Sequence, residues 1–351
     1  MASSSVPART VIRWGIIGCG DVTEVKSGPA FQKADGSALV AVMRRTRALA
    51  EDYARRHGVA RSYDNASALV NDPDVDAVYV ATPPGAHLEA AKLAAAAGKP
   101  AYVEKPMARH APECTAMIET FAAAQQKLFV AYYRRALPRF LKIKELLESG
   151  AVGRVMGVNY RFSSPRGPDL DPQKLPWRLN ATDAGGGLLL DVGSHVLDLL
   201  DFYFGPLENV RGSAAHFAGQ ADVEDVVTMT FRTHAGVPGS AMWDFSSAGP
   251  EDDLEFTGTK GRLSVAVLNA QPAMLMTGTG EQLIELPNPP HISQPLVQTV
   301  VDELLGRGTC PSTGESARRT SEVMDRVLSD YYGGREDAFW ERPQNWPGRH
   351  R

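Results

Sequence analysis

Three observations predict an α/β chain in two parts: an N-terminal doubly wound parallel sheet, then a C-terminal α/β domain with a mostly antiparallel sheet. Short, wholly apolar runs alternate with longer helical patterns from Val11 to about Val130. A glycine-bounded turn, Gly18-Cys19-Gly20, closes the first apolar run and precedes a helical pattern. Beyond Gly150 the texture changes to strand-like runs joined by Gly-, Pro- and Asn-containing turns. Apolar strands separated by helices form parallel sheets covered on both faces, whereas strands in succession favour antiparallel pairing.

In the first part, candidate strands fall at 12–17, 39–43, 77–81, 101–103 and 128–131, with helices at 48–57, 67–70, 86–97 and 112–126. The right-handed crossover rule makes this a Rossmann arrangement. A linking helix, 138–149, is stopped by Gly150. Strands are then expected at 155–163, 209–217, 225–232, 239–245, 253–256, 262–267 and 283–286, interrupted by one helix over 188–203. Helices at 294–305 and 314–332 close the chain. At 351 residues there is room for two domains. The expected divisions are 10–134, 135–332 and a Trp/Pro-rich tail 333–351, with helix 314–332 able to pack back on the first domain.

The net charge of −4 lacks the basic footprint of nucleic-acid binders. Cys19, Cys114 and Cys310 are far apart and form no CxxC or Cys/His ligand spacing. Neither a disulfide framework nor a zinc site is indicated, and a cytoplasmic setting is expected. Residues 1–10 lack the apolar core of a secretory signal, though their Ser/Ala-rich composition leaves a short targeting remnant as an alternative. No run approaches the roughly 18 apolar residues that a membrane helix requires.

The glycine turn points to a nucleotide. Gly18 permits the tight bend, and Gly20 lets the backbone at Asp21 and Val22 approach a pyrophosphate. Thr23 stands where the dinucleotide fingerprint carries its third glycine. The second strand runs into Arg44-Arg45, where enzymes using NAD place an acid for the ribose hydroxyls. A guanidinium can bind a 2′-phosphate in bidentate fashion, so NADP(H) is expected over NAD(H), with NAD(H) as the alternative. The plainer reading makes both arginines solvated helix-cap residues. Thr82, Pro83 and His87 follow the 77–81 strand, whose carboxyl end borders the cofactor crevice.

Lys105 lies in Glu104-Lys105-Pro106 just after the 101–103 strand, and Asp191 and His195 follow the triglycine Gly185-Gly186-Gly187. Four residues apart on a helix, Asp191 and His195 share one face, about 5–6 Å apart at Cβ. An ammonium can polarise a carbonyl, and an imidazole can exchange the proton that moves with a hydride. Alone, such an Asp/His pair is more often a structural hydrogen bond. Tyr132, Arg134, Tyr160, Trp177 and Arg178 suit a polyhydroxylated ring, which offers C–H faces and hydroxyls together; they equally suit a domain interface. Arg318-Arg319 reads as a solvated helix face.

These motifs, together with Thr82-Pro83-Pro84, Trp177-Arg178 and Gly258-Thr259-Lys260-Gly261, resemble the glucose–fructose oxidoreductase / inositol dehydrogenase / rhizopine catabolism (Gfo/Idh/MocA) family. The resemblance runs from Val11 to Leu328. It implies an open second sheet that often serves as a dimer surface, hence a homodimer or homotetramer, no metal, and a cis Lys105–Pro106 peptide. By resemblance, Lys105 and Glu104 border the nicotinamide, and Lys105 orients substrate and assists proton transfer. His195 becomes the principal acid/base, and Asp191 a substrate-hydroxyl ligand or second proton-handling group. The expected activity is NADP(H)-dependent interconversion of a secondary alcohol (or lactol) and a ketone (or lactone) on a sugar, cyclitol or cyclic diol. The alternatives are a non-catalytic nucleotide- or sugar-sensing regulator of the same fold and an NAD-dependent inositol dehydrogenase, which Arg44 disfavours.

Overall fold

A computed structural model describes residues 10–350, apart from 166, 168–170, 172–173 and 218–220. Most of the N-terminal stretch read for a targeting signal lies outside the described residues.

Strands β1 (Ile12–Ile17), β2 (Ser37–Met43), β3 (Arg61–Tyr63), β4 (Ala77–Val80), β5 (Ala101–Val103) and β6 (Leu128–Val130) form one sheet. Its order is β3-β2-β1-β4-β5-β6, and every pair is parallel. The central strands are apolar because helices cover both faces: Trp14, Ile16, Val42, Val78 and Tyr79 are all buried. The strand order reverses between β1 and β4, which opens a crevice at their carboxyl ends. Strand β3 has no counterpart among the expected strands. Its Arg-Ser-Tyr is half-buried and pairs only with β2, so it lacks the apolar signature of the interior strands.

The second sheet holds β7 (Val155–Pro165), β8 (Glu208–Ala215), β9 (Val226–Arg232), β10 (Pro238–Ser247), β11 (Glu251–Gly258), β12 (Gly261–Val265), β13 (Ala273–Thr277) and β14 (Gly280–Ile284). Its order is β14-β13-β12-β11-β7-β10-β9-β8, antiparallel except for the central β7/β10 pair. Val158, Tyr160, Trp243, Leu254 and Phe256 point to a core shared with helices Pro138–Glu148, Ser194–Phe204 and Gly314–Tyr332. The opposite face alternates outward through Asn159, Arg161, Thr228, Thr230 and Ser240. Strand β13 is a further addition to the expected set, and β14 begins before the predicted 283.

Two helices depart from their expected places. Gln294–Leu304 follows the second sheet in sequence, yet Leu296, Val297, Val300 and Val301 pack with Trp14 of the first sheet and Phe31 of a helix that covers it. The single helix expected over 188–203 is a π-helical turn, Leu189–Gly193, running into an α-helix, Ser194–Phe204. Helix Gly314–Tyr332 touches both sheets' cores, through Ala317 on one side and Val323, Met324 and Val327 on the other. The tail folds onto its end and buries Phe339, Trp340 and Trp346.

A buried ion cluster joins these parts. Arg135 Nε and Nη2 each donate to the Asp198 carboxylate at 2.8 Å, and Nη2 also reaches Asp201 Oδ2 at 2.8 Å. Arg319, expected on a solvated face, instead donates to both oxygens of Asp201 at 2.7 and 2.9 Å. Only Arg318 stays on its own helix, with Glu315 and Glu322. Breaking a buried pair strands a charge and costs about 3–5 kcal/mol. Arg135→Leu is therefore expected to destabilise the chain by about that amount, read as a lower urea midpoint at unchanged slope. An unchanged midpoint would show that the cluster is not under the strain of desolvation.

Candidate active site

The crevice at the switch point continues into a cleft of about 660 Å³ between the two sheets. Gly20, Asp21 and Val22 edge one end; Lys105, Asp191 and His195 converge at the other. Gly18 sits beneath, at φ +89°, where a Cβ would come within 2.8 Å of the Thr82 methyl. Thr23 takes over the missing glycine's place without loosening the turn. Its hydroxyl accepts from Gly20 N–H at 3.0 Å and donates to Gly20 C=O at 2.7 Å.

Lys105 stands on a rigid base. The Lys105–Pro106 peptide is cis. Half-buried Glu104 accepts the Lys105 backbone N–H at 3.0 Å with one oxygen and the Tyr79 hydroxyl with the other. Burial pushes the Glu104 carboxyl above its usual range, against the pull of Lys105 and Tyr79. The Lys105 ammonium crosses to the second domain, donating to Asp191 Oδ1 at 2.5 Å and Asp191 C=O at 3.0 Å. Arg178 Nε takes the other Asp191 oxygen at 2.8 Å and stacks on Trp177, its centre 4.5 Å from the ring. Burial raises the Asp191 carboxyl, but Lys105 and Arg178 together hold it below the carboxylate range.

The turn carrying Asp191 depends on Gly185 at φ +85°, where a Cβ would fall 2.5 Å from Arg109 C=O. Buried Arg335, from the tail, clamps this junction. Its terminal nitrogens donate to Gly185 C=O at 2.6 Å and Arg109 C=O at 2.8 Å, while Nε binds Asp325 at 2.8 Å.

Asp191 and His195 line the same cleft but do not bond each other. The π-turn between them replaces the four-residue helical spacing expected to pair them. His195 lies edge-on to Tyr132 and Tyr133, at 6.2 and 5.4 Å, with Nδ1 buried and unpartnered. Burial, then the charges of Arg134, Lys105 and Lys26, push its pKa well below the ordinary histidine value. That shift favours the uncharged imidazole at neutral pH.

Of the other expected residues, Thr82, Pro83, Arg134, Trp177 and Arg178 line the cleft. His87 lies behind its wall instead. The ring is buried, with nitrogens 2.7 Å from Thr82 C=O and 3.1 Å from Met107 C=O, so it ties two segments together and faces no ligand. Tyr160 is also displaced. Its hydroxyl donates to Asp252 at 3.1 Å beneath the cleft, and Phe162, two residues along the same face of β7, reaches the opening. Tyr132 is buried behind His195, and Tyr133 lines the cleft. Asp198, three residues after His195, belongs to the Arg135 cluster.

Other lining residues were not foreseen. Lys26 stands at the break between two short helices, Asp21–Val25 and Ser27–Lys33, which Ser27-Gly28-Pro29 could have signalled. Leu268 and Asn269 come from a loop whose amides Asp252 accepts at 2.7 and 2.8 Å; Arg134 and Arg139 donate to its carbonyls. No local pattern marks that loop.

A Cβ on Gly20 would meet nothing closer than 3.9 Å, so that side is an open cradle, and the buried Thr82 hydroxyl beside it has no partner. A dinucleotide phosphate fits there. This arrangement defines an oxidoreductase built on a nicotinamide-nucleotide fold. Residues 12–132 match the model of the oxidoreductase family with an NAD-binding Rossmann fold, and residues 140–264 match the GFO/IDH/MocA C-terminal domain. The chain belongs to the Gfo/Idh/MocA family. It is 37% identical to oxidoreductase P35 of Formosa agariphila over 316 residues, 90% of this chain and 97% of that one. It is 29% identical to 1,5-anhydro-D-fructose reductase of Ensifer adhaerens, covering 86% and 91% of the two chains. The solved levoglucosan dehydrogenase in complex with NADH shares the fold, with a TM-score of 0.82 at 22% identity over 91% and 96% of the chains.

A neutral buried imidazole leaves a pH signature. Its folded pKa lies below the unfolded value near 6.5, so its contribution to stability is full above about pH 6.5 and falls away below it. Selective histidine labelling and NMR titration should find the His195 signals unmoved from pH 8 to about 6.5. A midpoint at or above that value would contradict the assignment.

Proposed function

We propose that the chain is an NADP(H)-dependent oxidoreductase interconverting a secondary alcohol and a ketone, or a lactol and a lactone, on a sugar, cyclitol or cyclic diol. The observation that carries this reading is the convergence of Lys105, Asp191 and neutral His195 on one cleft with the Gly20–Val22 cradle. The nicotinamide, when bound, supplies or takes up the hydride.

In the oxidising direction the neutral His195 imidazole accepts the hydroxyl proton, and in the reducing direction it returns it to the oxygen. The Lys105 ammonium steadies the charge that develops there. Asp191, with both oxygens engaged, holds Lys105 and Arg178 in place across the domain junction. Trp177 and Phe162 offer apolar faces to C–H surfaces, as ring substrates need. The name of the Ensifer relative, a reductase of an anhydro sugar, agrees with this substrate class.

The nucleotide preference rests on Arg44 and Arg45. Both are exposed at the end of β2 and, among the described residues, neither side chain has a hydrogen-bond or ion-pair partner. Arg47 by contrast pairs with Glu51 and Asp64. The two free guanidinium groups suit a 2′-phosphate. The outward face of the second sheet is the surface proposed for pairing with a second copy.

Absorbance at the reduced-nicotinamide band tests these roles, with sugars, cyclitols and cyclic diols and NADP or NAD. We expect NADP to be preferred and Arg44→Asp to reverse the order. General acid–base help is worth about 10²–10⁴-fold, so Lys105→Ala and His195→Asn should each lower turnover by at least about a hundredfold with nucleotide binding retained. Near-native turnover in either variant, or a preference for NAD, would refute the corresponding assignment.

A further inference from the structure

Adjacent arginines close the first domain, and they are equally buried, Arg134 at 6% and Arg135 at 4% exposure. Arg135 is neutralised by two carboxylates. Among the described residues Arg134 has no carboxylate partner. Its Nε donates to Val267 C=O at 3.0 Å, one terminal nitrogen donates to the Tyr133 hydroxyl at 2.9 Å, and its other terminal nitrogen finds no hydrogen-bond partner among the described residues. The group also lies over the Tyr133 ring at 4.9 Å, which fixes its plane at the wall of the cleft. Withdrawing a guanidinium from water without a counter-charge is costly, and an anion arriving in the cleft would relieve that cost.

The imbalance extends across the site. Lys26, Lys105, Arg134 and Arg178 all line the cleft. Asp191 serves Lys105 and Arg178, while Lys26, like Arg134, has no ion-pair partner among the described residues. Both cations without an ion-pair partner line the same cleft as His195. The phosphate cradle at Gly20–Val22 lies at the other end, and a nicotinamide brings no negative group to His195.

We propose that the substrate is an anionic polyol, a sugar acid or sugar phosphate, whose charged group is received by the free edge of Arg134 with Lys26 as second cation. This rests on the oxidoreductase reading above. A planar guanidinium with one nitrogen unspent and its plane fixed suits a carboxylate or phosphate oxygen better than a neutral hydroxyl.

The test compares matched hexoses (gluco, galacto and manno) as neutral sugar, 6-carboxylate and 6-phosphate. Two readouts are used: NADP-dependent rates, and calorimetric binding to the NADPH-bound full chain. We expect a carboxylate or phosphate to exceed its neutral parent at least tenfold in kcat/KM and in affinity, with the two arms identifying which anion. Arg134→Gln should lower the acid-to-neutral ratio at least tenfold, and Arg134→Lys should restore part of it. The wild-type comparison needs no variant to fold. Equal use of neutral and charged sugars, or a ratio unchanged in Arg134→Gln, would overturn the proposal and leave the oxidoreductase reading standing. Nucleotide binding without turnover or binding of any compound would overturn both.

Discussion

The Arg135–Asp198–Asp201 cluster is the constraint on which the site's geometry depends. Asp198 lies one helical turn after His195, and Arg135 stands just beyond the last strand of the first sheet. Three charges withdrawn from water hold only if nearly every donor meets an oxygen, and here the Arg135 Nε and Nη2 groups do so. Burial still pushes the Asp198 carboxyl up to about 6 against the pull of Arg135, a measure of how dry the junction is. Arg319 draws the closing helix into the same knot. Because this docking is stiff, Lys105 on one domain and Asp191 on the other can meet at 2.5 Å with no linker holding them.

Around that junction the two ends of the cleft work by different physics. The nucleotide end is backbone: a glycine turn, a threonine hydroxyl that closes on it, and open space above Gly20. The reacting end is side-chain charge laid over buried supports. Glu104 lies under Lys105, Asp252 under the Leu268–Asn269 wall, and Arg134 and Arg139 stitch that wall to the first domain. Positioning is thus done by groups set behind the wall, which hold the cations that line the cleft.

Much of this was legible in the sequence where one pattern dominates locally. Doubly apolar strands such as β1 and β4, the glycine turn, and the capped helix Gly314–Tyr332 each follow from their own residues. Legibility fails where position in the sheet, or a distant partner, decides. Strand β3 is an edge strand with an Arg-Ser-Tyr sequence that only its pairing with β2 makes extended. The π-turn at Leu189–Gly193 inserts one residue per turn, a register change that no periodicity reveals and that separates Asp191 from His195. Tyr160 and Phe162 share a face of β7, so alternation cannot say which one reaches the cleft; the distance along the strand does. Arg319 looks solvated until Asp201, 118 residues earlier, is placed beside it.

The clamp at Arg335 carries a consequence for the order of events at the ribosome. Arg335 follows Gly185 by 150 residues and Arg109 by 226. At about 5–20 residues per second, the group that fixes this junction emerges about 10–45 seconds after Arg109. The first sheet lacks two flanking helices, Gln294–Leu304 and Gly314–Tyr332, until shortly before then, whereas the turn that presents Asp191 waits for Arg335 itself. The six strands that carry the glycine turn can therefore pair well before Arg335 closes on Gly185 and Arg109, and the Asp191 turn is the later of the two to be fixed.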